Sequence, residues 1–189
     1  MILFDNSNLF HAVVFANYDN INDLRSFSNL MYDQYIRFLK KFKSDYNDNI
    51  TICLDGKDYW RKDFFPYYKY GRSETKNKSK FDWIFLYKLY NEFKDQLKEN
   101  FNHKVMEVNK CESDDIIATL CKNKPENEHY LIISSDTDFK QLLIDPTIKQ
   151  FSPRINKFIT SDDPKLDLML KILSGEQAGK DAIPNILSP

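Results

Sequence analysis

HYLIISSDTDF, residues 129–139, joins an apolar run to two acids, and this junction decides the expected fold. His129–Ser134 has the length and apolar centre of a β-strand that is buried on both faces, as strands of parallel sheets are. Asp136 and Asp138 follow at its carboxyl end. Ligands of open α/β sheets bind in the crevice beyond the carboxyl ends of the strands. This stretch therefore predicts an acidic functional site at that edge of a parallel sheet.

The rest of the chain repeats the alternation of strand and helix. Two more apolar runs, Ile2–Phe4 and Asn49–Asp55, also lead into an acid. Apolar residues at three- and four-residue spacing predict amphipathic helices between the strands. Such alternation predicts an α/β fold with a mostly parallel central sheet and helices on both faces. The expected strands are 2–4, 49–55, 105–108, 129–134, 148–151 and 157–160, and the expected helices are 22–42, 81–101, 112–122 and 164–173.

The composition is that of a packed globular protein with one domain, or one domain and part of a second. Hydrophobic residues make up 42% of the 189 residues, which is enough for a substantial core. The net charge of −1 excludes a global basic field, so contact with nucleic acid would need a local basic surface.

Neither a disulfide framework nor a targeting segment is expected. Cys53, Cys111 and Cys121 form no C-x-x-C pair, which fits a reducing compartment. The amino-terminal stretch reaches an aspartate at once, unlike a signal peptide, and no window is long and apolar enough to span a membrane. We expect a cytoplasmic protein (in the host cytoplasm if phage-encoded) with no membrane partner.

Acids follow the predicted strand ends and open one predicted helix. Each acid alone is more often a cap or a solvated group, but together they track strand ends and not helix faces. Carboxylates that converge must shift their pKa values or bind cations, and hard oxygen ligands select Mg²⁺ or Mn²⁺. Glu112 and Asp115 would share a helical face, whereas spacing leaves the place of Asp114 open. The candidate catalytic residues are Asp5, Asp55, Asp136 and Asp138, and the candidate metal ligands add Glu112, Asp114 and Asp115.

A basic and aromatic segment, residues 57–80, lies between a predicted strand and a predicted helix. Basic groups neutralise phosphates, and aromatic faces stack on unpaired bases. The spacing of Trp60, Phe64 and Phe65 favours burial on a helical face, and residues 71–80 lack apolar side chains and predict a mobile loop. The candidate nucleic-acid-binding residues are Arg61, Lys62, Lys69, Arg72, Lys78 and Lys80.

A series of stretches carries a family resemblance that spans nearly the whole chain. In order they are FDNSN around Asp5, CLDG around Asp55, DYWRKDFFPYYKYGR, KCESDDIIATL, LIISSDTDFKQL, KQFSP and LKILSGE…KDAIPNI. These resemble the flap endonuclease or 5′-nuclease superfamily, and most closely its phage ribonuclease H branch of 5′-to-3′ exonucleases. The most specific are DYWRKDF…YYKYGR and IISSDTDF.

The resemblance implies a PIN-like fold and a two-metal phosphodiesterase that uses Mg²⁺, with Mn²⁺ as a substitute. It adds Asp181 to the metal acids, makes the basic residues a clamp near the 5′ end, and makes residues 57–80 an arch for a single-stranded 5′ end. The implied substrates are DNA and RNA–DNA duplexes with a 5′ end or flap, in primer removal during replication. A single-strand-binding protein and a sliding clamp are the implied protein partners.

The carboxyl-terminal part departs from the family pattern. Residues 1–160 are expected to form the nuclease domain, and 161–189 to begin a helix-hairpin-helix-like element that grips duplex DNA and is truncated at Pro189. Glu176 stands where the family has the first aspartate of a G-D-x-x-D motif, and the spacing to Asp181 is longer.

Two other functions stay open on the sequence alone. One is a nucleic-acid-binding relative with weak or no catalysis. The other is an aspartate phosphotransfer domain of the receiver type, which also has acids at its strand ends. The receiver type does not call for the basic aromatic segment.

Overall fold

The computed structural model describes residues 1–46, 49–69, 76 and 78–174, and these fold around a six-stranded sheet. The strands are β1 (Ile2–Asp5), β2 (Ile50–Leu54), β3 (Lys104–Glu107), β4 (Tyr130–Ile133), β5 (Ile148–Ser152) and β6 (Lys157–Ile159). Their spatial order is β3-β2-β1-β4-β5-β6. The first five strands in this order run parallel to their neighbours, and β6 runs antiparallel to β5. The predicted mostly parallel sheet is confirmed.

Helices cover both faces of the sheet, as predicted. The helices are α1 (Asn6–Asn17), α2 (Leu24–Tyr46), α3 (Arg61–Phe64), α4 (Trp83–Asn100), α5 (Ser113–Lys122) and α6 (Pro164–Ser174). Ile2 and Phe4 of β1 pack into one core with α1, α2 and α4, whereas Leu3 packs into a second core with α5. A short 3-10 helix, Thr137–Ile144, adds Phe139 to that second core. Among the described residues, no helix is long and apolar enough to cross a membrane.

Helix α1 was not predicted from the sequence. Its buried residues include Leu9, Phe10, Val13 and Val14, which have helical spacing. The run from 9 to 16 is apolar at almost every position, so no polar face marks the period. The helix begins directly after β1, where the Asp5 side chain accepts a hydrogen bond from the Asn8 amide at 3.2 Å.

The strand order creates a switch point between β1 and β4. The chain builds outward from β1 through β2 to β3 on one side, and from β4 to β5 on the other. The helices that leave β1 and β4 therefore diverge to opposite faces and open a crevice at the carboxyl ends of these two strands. Asp5 lies at the end of β1 and Ser134 directly follows β4, so both border this crevice.

Candidate metal centre and nucleic-acid interface

Asp5 lies at the switch point, buried and held by two serine hydroxyls. Only 4% of the Asp5 surface is exposed to solvent. The Ser113 hydroxyl donates to Oδ1 at 2.8 Å, and the Ser134 hydroxyl donates to Oδ2 at 2.7 Å. The backbone amide of Ser113 also donates to Asp55 Oδ1 at 2.8 Å. Ser113 thus joins the acid at the end of β1 to the acid after β2.

Burial makes the Asp5 carboxylate a costly anion in the absence of a cation. It raises the pKa of Asp5 to about 6, against the hydrogen bonds from the two serines, and the charge of Asp55 adds to the rise. A buried carboxylate beside a second one is stabilised by a bound cation.

The start of α5 supplies a second group of acids. Glu112 is the N-cap and forms a capping box with Asp115: the Asp115 carboxylate accepts from the Glu112 amide at 3.0 Å. One ligand oxygen each from Glu112, Asp114 and Asp115 lies within 4.8 Å of the others. The structure therefore brings Asp114 into the group, which spacing had left open. Burial raises the pKa of Asp114 to about 6, and the nearby Glu112 charge adds to the rise.

The basic aromatic segment docks on these acids through Arg61, Tyr68 and Lys69. Arg61 donates to both oxygens of Asp115, at 2.9 and 2.8 Å, and to Glu112 at 2.9 Å. Tyr68 donates to Glu112 at 2.7 Å, and the Lys69 ammonium pairs with the same carboxylate. Burial alone would raise the pKa of Asp115, but hydrogen bonds, first among them those from Arg61, hold it below its usual value.

The predicted burial of Trp60, Phe64 and Phe65 is wrong. These residues are 41%, 82% and 57% exposed. Helix α3 has only four residues, and the described segment is held by polar contacts to the start of α5 instead of by an apolar face. The Trp60 indole N–H, for example, donates to Asp115 at 3.1 Å.

The acids after β4 are held differently. Asp136 caps the 3-10 helix by accepting from the Asp138 amide at 2.9 Å, and its own amide donates to the Ser134 hydroxyl at 3.1 Å. The Gln150 side-chain amide donates to the backbone carbonyls of Ser134 and Asp136, at 3.0 and 2.6 Å. Asp138 is 45% exposed and pairs with Lys171 of α6. The Asp138 carboxylate thus forms an ion pair with a lysine, whereas the Asp136 carboxylate accepts a hydrogen bond from the 3-10 helix that it caps.

Of the remaining candidate site residues, three lysines lie within the described part of the chain and the others lie outside it. Lys62, Lys78 and Lys80 are exposed. Lys62 lies 5.9 Å from the Tyr59 ring centroid and Lys80 lies 5.4 Å from that of Phe81. Arg72, Glu176 and Asp181 fall outside the described residues, as does most of the loop predicted at 71–80.

Gly56 brings the exit of β2 against the loop that precedes α5. Its amide donates to the Cys111 carbonyl at 2.8 Å. A Cβ atom at this position would lie 2.2 Å from the Val108 carbonyl oxygen, which is well inside van der Waals contact. The two backbones that carry Asp55 and Glu112 are therefore in direct contact.

Sequence reasoning missed Ser113, Ser134, Tyr68 and Gln150 as parts of this site. Ser113 and Ser134 stood within quoted motifs, but nothing in their spacing shows that both hydroxyls turn toward one carboxylate. Gln150 lies on β5, away from the acidic stretches in sequence.

The donor set fits a hard divalent cation. All the candidate ligands are carboxylates, which Mg²⁺ and Mn²⁺ prefer, and Asp5 and Glu112 are buried where an unpaired charge is costly. Arg61 and Lys69 occupy part of the coordination capacity of Glu112 and Asp115. Asp5, Asp55 and Asp114 have no ion pair among the described residues.

A doubly wound sheet with carboxylates at its switch point and a basic segment docked on them defines the class of protein: an α/β domain with an acidic crevice at the carboxyl ends of its strands. Residues 1–167 match the family model of the 5′-3′ exonuclease, N-terminal resolvase-like domain, and the chain belongs to this family. It is 38% identical over 153 residues to ribonuclease H of Enterobacteria phage T4. That alignment covers 78% of this chain and 50% of the relative, so the chain spans about half the length of the curated relative it matches.

Solved structures of bacteriophage T5 proteins share the fold. The T5 5′-exonuclease with bound zinc superposes with a TM-score of 0.75 at 20% identity, covering 98% of this chain and 71% of that one. A T5 flap endonuclease in a pseudo-enzyme–product complex with DNA and metal ions gives a TM-score of 0.76 at 19% identity, covering 100% and 70%. The resemblance inferred from the sequence is confirmed, and family membership decides against a receiver-type phosphotransfer domain.

Proposed function

We propose that this chain is the catalytic part of a Mg²⁺-dependent 5′-3′ exonuclease or flap endonuclease that hydrolyses phosphodiesters of DNA and RNA–DNA duplexes. One observation carries the proposal: acids from β1, β2 and α5 lie at the switch-point edge of the sheet, and a basic segment docks on them. Membership of the 5′-3′ exonuclease family supports the same reaction. The metal-bound and DNA-bound T5 structures support the substrate and cofactor classes.

The acids that have no basic partner are the ones best suited to hold divalent cations. Asp5, Asp55 and Asp114 would hold divalent cations such as two Mg²⁺ ions, whose chemistry would be activation of a water and neutralisation of charge on the scissile phosphate and leaving oxygen. Asp5, Asp55 and Asp114 have no ion pair with a basic side chain in the described residues, which suits ligands that await a cation. The full proposed ligand set is Asp5, Asp55, Glu112, Asp114, Asp115, Asp136, Asp138 and Asp181.

Arg61 and Lys69 serve as the phosphate contacts nearest to the acids. A guanidinium that binds two carboxylate oxygens has the geometry to bind two phosphate oxygens. Arg61 already lies beside the proposed ligands, so a phosphate bound by it is held next to the ions. Lys62, Arg72, Lys78 and Lys80 are the proposed outer contacts, where each neutralised phosphate adds to a salt-sensitive affinity.

The exposed rings of the segment add contacts of another kind. Phe64 and Tyr67 are 82% and 67% exposed, next to the residues that dock on α5. An unpaired base gains about 1–3 kcal/mol by stacking on an aromatic face. This supports a substrate with a single-stranded part.

The direct test is cleavage of a 5′-flap duplex labelled at either end, in Mg²⁺ or in EDTA. Asp114→Asn removes one proposed ligand charge with little change in shape, and Asp95→Asn is the matched control, because Asp95 is a 75% exposed side chain on the outer surface of α4. We expect Mg²⁺-dependent 5′ products from the wild type and from Asp95→Asn, and none from Asp114→Asn. A folded wild type that binds the flap but does not cut it in Mg²⁺ or Mn²⁺ would support the binding-only alternative.

The biological setting is proposed from the family alone. Primer removal during replication, a single-strand-binding protein or sliding clamp as partner, and a cytoplasmic location stay predictions. So does the division into a nuclease domain at 1–160 and the start of a duplex-gripping element at 161–189.

A further inference from the structure

We infer that Ser113 is a positioning residue of the metal centre, which fixes Asp5 and Asp55 relative to each other and so sets the affinity for the divalent cation. The inference rests on the proposed function. It concerns a side chain that carries no charge and that would not itself contact the ion.

Ser113 uses two donors on two different carboxylates. Its hydroxyl donates to Asp5 at 2.8 Å and its amide donates to Asp55 at 2.8 Å. The residue is 4% exposed, so water does not compete for these bonds. Its amide is among the first of α5, and such amides have no partner within their own helix. One residue of α5 therefore joins the ends of β1 and β2.

Ser134 extends the same network to the acid that follows β4. It is fully buried, donates to the second oxygen of Asp5 at 2.7 Å, and accepts from the Asp136 amide at 3.1 Å. A continuous path of hydrogen bonds runs from Asp136 through Ser134, Asp5 and Ser113 to Asp55. Three strand exits are tied together by two serines, through both hydroxyl groups and the Ser113 amide.

This arrangement favours cation binding for two physical reasons. Each hydroxyl donates to an oxygen of Asp5, and such a hydrogen bond favours the carboxylate form that a metal ligand requires. The two serines also limit rotation of the carboxylate, so less conformational entropy is lost when the ion binds. Hydrogen-bond partners behind metal ligands commonly change metal affinity by about 10–100-fold when they are removed.

The test is Mn²⁺ binding by titration calorimetry, with thermal unfolding in EDTA as a separate measure of folding. Ser113→Ala removes the hydroxyl and keeps the amide, and Ser113→Thr keeps both donors. Ser161→Ala is the matched control, because the Ser161 hydroxyl also donates to a carboxylate, that of Asp167 at 2.7 Å, outside the proposed ligand set. We expect the Mn²⁺ dissociation constant to rise about tenfold in Ser113→Ala, and to stay near the wild-type value in Ser113→Thr and Ser161→Ala.

The outcomes separate this inference from the proposed function. A Ser113→Ala protein that binds Mn²⁺ as tightly as the wild type would overturn the inference and leave the nuclease proposal intact. A folded wild type that binds no Mn²⁺ would overturn both. Ser134→Ala removes the other hydroxyl on Asp5 and gives an independent measurement if Ser113→Ala does not fold, with the same loss of affinity expected.

Discussion

Arg61 donates to both carboxylate oxygens of Asp115 and, from one of the same nitrogens, to Glu112. The guanidinium thereby fastens the basic aromatic segment to the first turn of α5. Its side chain is 28% exposed, against 3% for Glu112, so the contact lies where solvent screening is weak. The same planar donor group matches a phosphate, which makes its replacement by another cation informative.

Replacement of Arg61 by lysine keeps the charge and removes the two-point contact. We expect Arg61→Lys to lower the free energy of unfolding in EDTA by about 1–2 kcal/mol. We also expect weaker binding of a flap substrate in Ca²⁺. Denaturant unfolding and fluorescence anisotropy measure the two effects. The control Lys62→Arg alters the neighbouring exposed cation, and an equal loss of stability there would contradict this role for Arg61.

Asp5 gives the metal-free protein a dependence of stability on pH. Its folded-state pKa, about 6, lies above the ordinary 3.8, so its contribution to stability is fully present below pH 3.8 and is lost as pH rises through 6. Asp5→Asn avoids that loss and should raise the free energy of unfolding in EDTA by roughly 2–3 kcal/mol at pH 7.5, with little effect near pH 4. Thermal unfolding across this range measures the difference.

The matched control is Asp95→Asn, which replaces a largely exposed carboxylate and should change the free energy of unfolding little. Added Mg²⁺ should reverse the order, because it stabilises the wild type and not Asp5→Asn. A variant that is no more stable than the wild type at pH 7.5 would show that the buried charge is already compensated.

Divalent-cation binding should weaken in mild acid. Asp5 and Asp114 both have a pKa of about 6, so a metal ion must displace protons from them below neutral pH. We expect the Mg²⁺ affinity to fall as pH is lowered from 7.5 to 5.5, with net proton release on binding at pH 6. Calorimetry in two buffers of different ionisation enthalpy counts those protons, and a result of zero would contradict proton displacement from these two carboxyl groups.

Gln150 should stabilise the loop that carries Asp136. It is fully buried, and its amide donates to two backbone carbonyls of that loop. Gln150→Met leaves both carbonyls without this donor, and we expect a loss of about 1–3 kcal/mol in the free energy of unfolding. The matched control Gln141→Met replaces an exposed glutamine of the 3-10 helix and should change little. Similar losses in the two variants would argue against the contact.

The fold was largely readable because buried strands and amphipathic helices leave different periods in the sequence. Tyr130–Ile133 and Ile50–Leu54 are buried on both faces and mostly apolar, whereas α2 and α4 each have an apolar side and a polar side. Helix α1 has no such alternation, and its helical spacing was lost among other apolar residues.

The positions of the acids could be predicted from the sheet topology, but their hydrogen-bond partners could not. Strand ends in a parallel sheet share one edge, so acids at those ends were expected together. The direction of a serine hydroxyl depends on the final packing of three elements, as at Ser113. The prediction that the aromatic residues of the segment are buried was wrong. Phe64 has helical spacing, but its helix has only four residues and no buried face.

Gly56 has a consequence for protein engineering. Charge replacement alters the number of ligands and the electrostatic potential together, so it cannot reveal how strictly the spacing of the ligands matters. A methyl group added at position 56 would push the end of β2 away from the Val108 carbonyl and would leave every charge in place. Gly56→Ala would therefore test whether the proposed ion affinity depends on the spacing between Asp55 and Glu112, with the charges of the crevice unchanged.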